Sequence, residues 1–341
     1  MKHRVLMQIG LALILLLGLA GGAEAADKVK AVASFSILGD MVKQVGGDRV
    51  EVVTLVEPDG DAHVFSPTPA DAKTLAGADV FFVNGLGFEG WLQRLEKASG
   101  FKGRVVVTSD GVKPLVMEEG HHHHGEEHAE HADHDDHGKK HAENAGHDGH
   151  AKGHDDDEED EEDEEEIDDP HAWQDLANGK IYVANIRDGL IAADPEGRAT
   201  YEANAANYIE RLAKEDAAVR AALATLPEAR RKIITSHDAF NYFGKAYGLE
   251  IIAPEGVSTE SEASAKDVAK IIRQIKADKI PAVFVENIAD RRLLDQIARE
   301  TGAKIGGTLY SDALSGPDGP APTYLDMFRH NVGTLTAALS S

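Results

Sequence analysis

The chain has 341 residues, 42% of them hydrophobic, with 60 acidic and 35 basic side chains and a formal net charge of −25. That length and apolar content allow two cores of ordinary domain size, while the acidic balance excludes the basic footprint that nucleic-acid binding needs. Cysteine is absent, which excludes a disulfide framework, a thiolate metal site, a thiol nucleophile and a lipid-modified cysteine.

The N-terminus runs Lys2, His3, Arg4, then an apolar stretch from Val5 to Leu19, then Gly21-Gly22-Ala23-Glu24-Ala25-Ala26. A basic start, a short greasy core and a small-x-small end mark a secretory signal over residues 1–25, cut after Ala25. About 15 apolar residues fall short of the roughly 20 that a spanning helix needs. With no later apolar stretch of spanning length, the mature chain is expected in a periplasm.

From Asp27 onward short β-branched runs alternate with helical stretches. Residues 29–35, 50–56, 80–83 and 105–108 read as buried strands of a parallel sheet covered by helices. Between the second and third, Thr68-Pro69-Ala70-Asp71 supplies an N-cap threonine, a first-turn proline and an acid at the third helical position, which predicts a helix over Leu75 towards Ala78. Residues 118–169 then carry 24 acidic side chains against three lysines, and 12 of the 17 histidines. So little apolar surface cannot offset the entropy of ordering, and the segment is expected to be a disordered insertion in an N-terminal lobe of residues 26–193.

Residues 194–226, rich in Ala, Glu, Arg and Leu, begin at a capping Asp194 and stop before Pro227. They predict one linking helix, about 45 Å long at 1.5 Å per residue. The alternation returns in residues 227–341, with strands over 233–235, 250–252, 283–286 and 305–309 and helices over 264–277, 291–301 and 324–339. The expected fold class is α/β, two similar parallel-sheet lobes joined by one long α-helix.

Once the insertion and His3 of the leader are set aside, four histidines remain: His63, His171, His237 and His330. His63 follows the second strand in Asp59-Gly60-Asp61-Ala62-His63, before the turn at Pro67 and Pro69. His171 stands in Asp169-Pro170-His171-Ala172-Trp173, where proline marks a first helical turn. His237, in Thr235-Ser236-His237-Asp238, lies at the carboxyl end of the second lobe's first strand, where ligands of open α/β sheets gather. His330 falls inside a helix and reads as structural. One such histidine alone could cap a loop or pack on an aromatic ring, but three at such junctions point to a metal. Three imidazoles and one carboxylate form a tetrahedral set that suits zinc. Two acids compete for the fourth position on equal terms: Asp312, after the strand over 305–309, and Glu286, ending the strand over 283–286.

The segments 60–69, 169–173, 236–240, 285–290 and 306–312 resemble the metal-specific solute-binding proteins of ABC importers, the ZnuA-like and TroA-like group. Together they span nearly all of the mature chain outside the insertion. The resemblance implies a metal site in the cleft between the lobes, with two ligands from each: His63, His171, His237 and, in preference to Glu286, Asp312. It implies Zn2+ as the transported cargo and a membrane permease as the partner; the chain itself is expected to act as a monomer. Members that look manganese-specific carry an acid where His237 stands, so histidine there resembles the zinc branch, as does the histidine-rich insertion. A manganese receptor and a stand-alone periplasmic zinc buffer are the alternatives. Two features depart from the pattern: Ala62 stands where many zinc members have glutamate, and no disulfide can form in the second lobe. No His-Glu-x-x-His or comparable motif accompanies the histidines, so the chain is not expected to be an enzyme.

Overall fold

A computed structural model describes residues 27–118, 166–260 and 263–340. The expected signal segment and most of the insertion, and with it the expectation of disorder there, lie outside the described residues.

Strand β1 (Val29–Phe35) is buried at every position but Lys30, the pattern of a strand covered on both faces. It runs into α1 (Ser36–Gly46), then β2 (Val50–Val56), α2 (Pro69–Ala76), β3 (Val80–Val83), α3 (Leu92–Ser99) and β4 (Arg104–Val107). The start of α2 is a reciprocal cap, with Thr68 Oγ1 accepting from Asp71 N and the Asp71 carboxylate accepting from Thr68 N. The sheet is parallel throughout, in the order β2-β1-β3-β4. Two short strands, β5 (Val116–Glu118) and β6 (Glu166–Asp168), pair with each other.

After α4 (Leu176–Ala193) comes a 3-10 turn, Pro195–Gly197, whose N-cap Asp194 accepts from Gly197 N. Helix α5 (Arg198–Ala224) then runs 27 residues, about 40 Å, and links the lobes. Its buried residues Tyr201, Ala205, Tyr208, Leu212, Val219 and Leu223 recur at three- and four-residue steps and their multiples, so one face lies against the core. The second lobe follows as β7 (Lys232–Ile234), α6 (Asn241–Tyr247), β8 (Glu250–Ile252), α7 (Ala265–Asp278), β9 (Ala282–Glu286), α8 (Arg292–Thr301), β10 (Lys304–Leu309) and α9 (Tyr324–Leu339). Its sheet, also parallel, has the order β10-β9-β7-β8. Numbered from each lobe's first strand, both sheets read 2-1-3-4. Each therefore has a switch point beside its first strand, and the loops at the carboxyl ends there are the ones placed to hold a ligand.

One apolar core runs through both lobes, joining Phe35, Phe82 and Trp173 to Tyr208 of the linking helix and to Phe243 and Phe328 beyond it. A smaller cluster, including Ile234, Ile271, Val283 and Ile297, fills the space under α7 and α8. Because close-packed interiors resist shear, a shared core favours small displacements over free hinging.

The structure corrects the reading of the insertion's ends. Glu118 and residues 166–168 are strand, and Asp169 is fully buried. Acidic composition misleads there because Asp169 has specific partners in the interior, described next.

Candidate metal centre

Four side chains meet at the carboxyl ends of the strands: His63 after β2, His171 before α4, His237 after β7 and Asp312 after β10. One ligand atom from each lies within 4.8 Å of the others, and all four residues are buried. The Nε2 atoms of His63 and His171 are 3.3 Å apart. Asp312 Oδ2 lies 3.3 Å from His63 Nε2 and 3.0 Å from His237 Nε2, and Oδ1 lies 3.6 Å from His171 Nε2. Asp312 Oδ1 is buried without a hydrogen-bond partner. An unpaired buried carboxylate oxygen is costly, and its place among three imidazole nitrogens fits a cation-binding role.

Local structure aims each residue. Asp61 Oδ1 accepts from His63 N over 2.9 Å, and Asp169 Oδ1 accepts from His171 N over 2.9 Å, so the Asp-x-His turn occurs twice. Trp91 Nε1 donates to Ala62 O over 2.8 Å, and the His63 ring stands edge-on to Phe88 at 4.8 Å between centroids. Asp169 Oδ1 also reaches Nδ1 of His171 at 2.8 Å, which turns the opposite nitrogen inward. The Asp312 loop is held from the other lobe, where Trp173 Nε1 and Gln174 Nε2 both donate to Ser311 O, over 3.0 and 2.7 Å. In β10 a register shift falls between Ile305 and Gly307. Gly306 there faces Phe284, whose ring a Cβ would meet at 2.4 Å.

Glu286, the rival for the fourth position, stands behind the cluster rather than in it. Its Oε1 accepts from the backbone N–H groups of Ser236 and His237, and its Oε2 lies 2.7 Å from Nδ1 of His237. That last approach is off the axis of a hydrogen bond, so it is an ion-pair contact in character. His330 lies away from the cluster, its Nε2 2.9 Å from Thr308 O and its ring against Tyr310.

Charge and burial compete at every group. Burial alone would lower the proton affinity of His171, but the Asp312 and Asp169 carboxylates overcome it and hold the imidazole up to about 9. The same contest, with Glu286 and Asp312 as the carboxylates, leaves His237 well above the usual imidazole range. Burial dominates at His63, which is lowered. Asp312, pushed upward by burial, is nevertheless held well below the usual carboxylate range by His237 and His171.

Sequence reasoning missed Asp169 as a ring-orienting carboxylate and the roles of Trp173 and Gln174. The repeated Asp-x-His spacing was the available signal for the first, whereas a donor to a backbone carbonyl across the lobes leaves no local pattern.

Two parallel lobes on one long helix, with three histidines and an aspartate converging at the strand ends, define a metal-receptor class of molecule. The chain belongs to the family described as "Zinc-uptake complex component A periplasmic", which it matches over residues 31–338. It is 32% identical over 321 residues to the manganese-binding lipoprotein MntA of Halalkalibacterium halodurans, covering 94% of this chain and 91% of the relative. It is 30% identical over 313 residues to the iron-binding protein YfeA of Yersinia pestis, covering 92% of this chain and 87% of the relative. The periplasmic zinc-binding protein TroA of Treponema pallidum superposes with a TM-score of 0.75 at 27% identity, over 92% of this chain and 99% of its own.

Proposed function

We propose that this chain binds a zinc ion with His63, His171, His237 and Asp312, outside the cytoplasmic membrane, and hands it to the permease of an ABC importer. The spacing of the donor atoms carries this reading. An ion with bonds of about 2.0 to 2.1 Å sets tetrahedral donor separations of about 3.3 Å. The His63–His171, His63–Asp312 and His237–Asp312 separations of 3.3, 3.3 and 3.0 Å lie close to that value. Four protein ligands leave no open position for a reacting water, which suits a carrier rather than a catalyst.

The ion docks first on His63 and His171 of the first lobe, and His237 and Asp312 complete the shell. Oriented imidazoles favour nanomolar or tighter zinc binding, given the roughly 10 to 16 kcal/mol typical of structural zinc. Export rests on the leader over residues 1–25; some relatives are named as lipoproteins, whereas this sequence contains no cysteine. Manganese is the second reading, favoured by the name of the relative that shares 32% identity. Against it stand three nitrogens, a softer set than the oxygens that suit manganese.

Elemental analysis of the protein isolated from its own compartment, without added metal, tests the cargo: zinc is expected, and manganese as the main metal would replace the zinc reading. Chelator competition tests the site. Only micromolar zinc binding in the wild type, or unchanged binding in His171→Ala, would sink the ligand assignment.

A further inference from the structure

Asn84 follows β3 in the first lobe and is fully buried, and every polar atom it has is engaged. Its N–H donates to Glu89 Oε1 over 2.7 Å and its carbonyl accepts from Ser109 Oγ over 2.6 Å, so the backbone is gripped on both sides. The side-chain oxygen accepts from the hydroxyl of Tyr182, on α4, over 2.6 Å. The side-chain nitrogen donates to Gly85 O and to Pro170 O, each over 2.9 Å. Carbonyls only accept, so the amide has a single orientation. Burying a primary amide has a desolvation cost that leucine, close to it in size, would not incur. What the amide supplies in return is the bond to Pro170.

Pro170 O belongs to the peptide unit that ends in His171 N. Residue 169 is already held, its N–H by Leu115 O, its carbonyl by the Tyr242 hydroxyl and its Oδ2 by Asn241, and the pyrrolidine ring locks φ of residue 170. The rotation left between Asp169 and His171 is ψ of Pro170, which swings the carbonyl and the His171 N–H together. Asp169 Oδ1 takes the N–H end of that peptide over 2.9 Å, and Asn84 takes the C=O end. Ala172 N also reaches Pro170 O, over 2.9 Å, but it lies in the same turn and moves with it. We propose that Asn84 is a positioning residue for His171: by tying the Pro170 carbonyl to the end of β3, it sets the peptide from which the imidazole projects. The proposal rests on the reading of His171 as a metal ligand. Nε2 of His171 stands 3.3 Å from that of His63 and 3.6 Å from Asp312 Oδ1, and zinc bonds hold to within about 0.2 Å, so a small swing of the peptide takes the nitrogen out of range of a shared ion.

Two readouts on the full chain test this: zinc affinity by chelator competition, and the visible band of bound Co2+ at half an equivalent, which reports the geometry of the ligands. Asn84→Leu removes the amide at similar size, and Asn84→Asp keeps an acceptor for Tyr182 but has no hydrogen for Pro170. Each is expected to weaken zinc binding roughly tenfold and to alter the Co2+ band. Asn185→Leu removes an α4 amide that donates to Thr108 O and Asp110 O over 2.8 and 2.9 Å in the same lobe. It controls for a general loss of stability and is expected to leave both readouts at their wild-type values. Should neither Asn84 variant fold, Tyr182→Phe, which frees the amide oxygen alone, takes their place with an expected loss of roughly threefold in affinity. Either readout left at its wild-type value in the folded variant, or a change of the same size in Asn185→Leu, overturns the positioning role. Absence of tight zinc binding in the wild type overturns instead the metal-site reading on which it rests.

Discussion

Glu286 reaches His237 twice, with Oε1 accepting from its backbone N–H over 2.9 Å and Oε2 lying 2.7 Å from its ring Nδ1. One carboxylate thus shapes the loop after β7 and turns the opposite ring nitrogen towards Asp312, 3.0 Å away.

Glu286→Gln keeps the size of the side chain and an oxygen for the backbone but removes the charge behind the ring. Zinc affinity is expected to fall about 10- to 100-fold, as losses behind a ligating imidazole commonly do. Glu286→Ala also strands the N–H groups of Ser236 and His237 in the interior, which should lower unfolding free energy by about 1 to 3 kcal/mol for each unmet donor. Chelator competition and urea unfolding of the metal-free protein measure the two effects separately.

Replacing His237 by an acid tests what the third nitrogen does for selectivity. His237→Asp exchanges an imidazole for a harder oxygen donor and sets a third carboxylate beside Asp312 and Glu286. The ratio of zinc to manganese affinity is expected to fall at least about tenfold, since oxygen-rich sets suit manganese better than nitrogen-rich ones. Competition titrations with both ions read the ratio directly, and an unchanged ratio would show that His237 does not set the preference.

Proton uptake by the metal-free cluster gives a pH signature with a definite sign. With the His171 imidazole held up to about 9 against an ordinary 6.5, the empty site carries a proton at neutral pH that a metal must displace. Calorimetry in buffers of different ionisation enthalpy is expected to show net proton release on zinc binding at pH 7 to 8. The raised imidazole stabilises the metal-free fold fully below 6.5 and loses that contribution as pH rises through about 9. Zinc needs the neutral ring, so its stabilisation grows across the same interval. The gap in Tm between zinc-loaded and metal-free protein should therefore widen from pH 6.5 to 9, and a gap that narrows would contradict the charge state assigned to His171.

Much of the fold was legible in the sequence because strand burial and helix caps are local properties. The runs at residues 29–35, 50–56, 80–83 and 250–252 are strands with the bounds read from their β-branched patterning, and Thr68 caps α2 as its Thr-Pro-x-Asp sequence predicts. Helices α1, α3 and α6 escaped because none begins at a capping side chain, and α1 is also buried almost all round; α4 escaped although Asp175 caps it by accepting from Ala177 N. Local reading also stopped short at the site. Position after a strand could not separate Asp312 from Glu286, because both stand at carboxyl ends of the same sheet, and only the fold places one among the imidazole nitrogens and the other behind a ring.

The insertion poses a separable question about stoichiometry. Its 12 histidines and many carboxylates are donor types that zinc accepts, and a sequence with so little apolar content to build a buried site is expected to hold each ion weakly. The buried cluster has its imidazoles already turned by Asp169 and Glu286 and loses little entropy on binding. Equilibrium dialysis of the full chain is therefore expected to give one tight zinc and several weak ones. Deleting residues 121–166 should remove the weak class and leave the tight constant within about threefold, since sites without shared partners behave additively. Unchanged stoichiometry after the deletion would rule out a collecting role for the insertion.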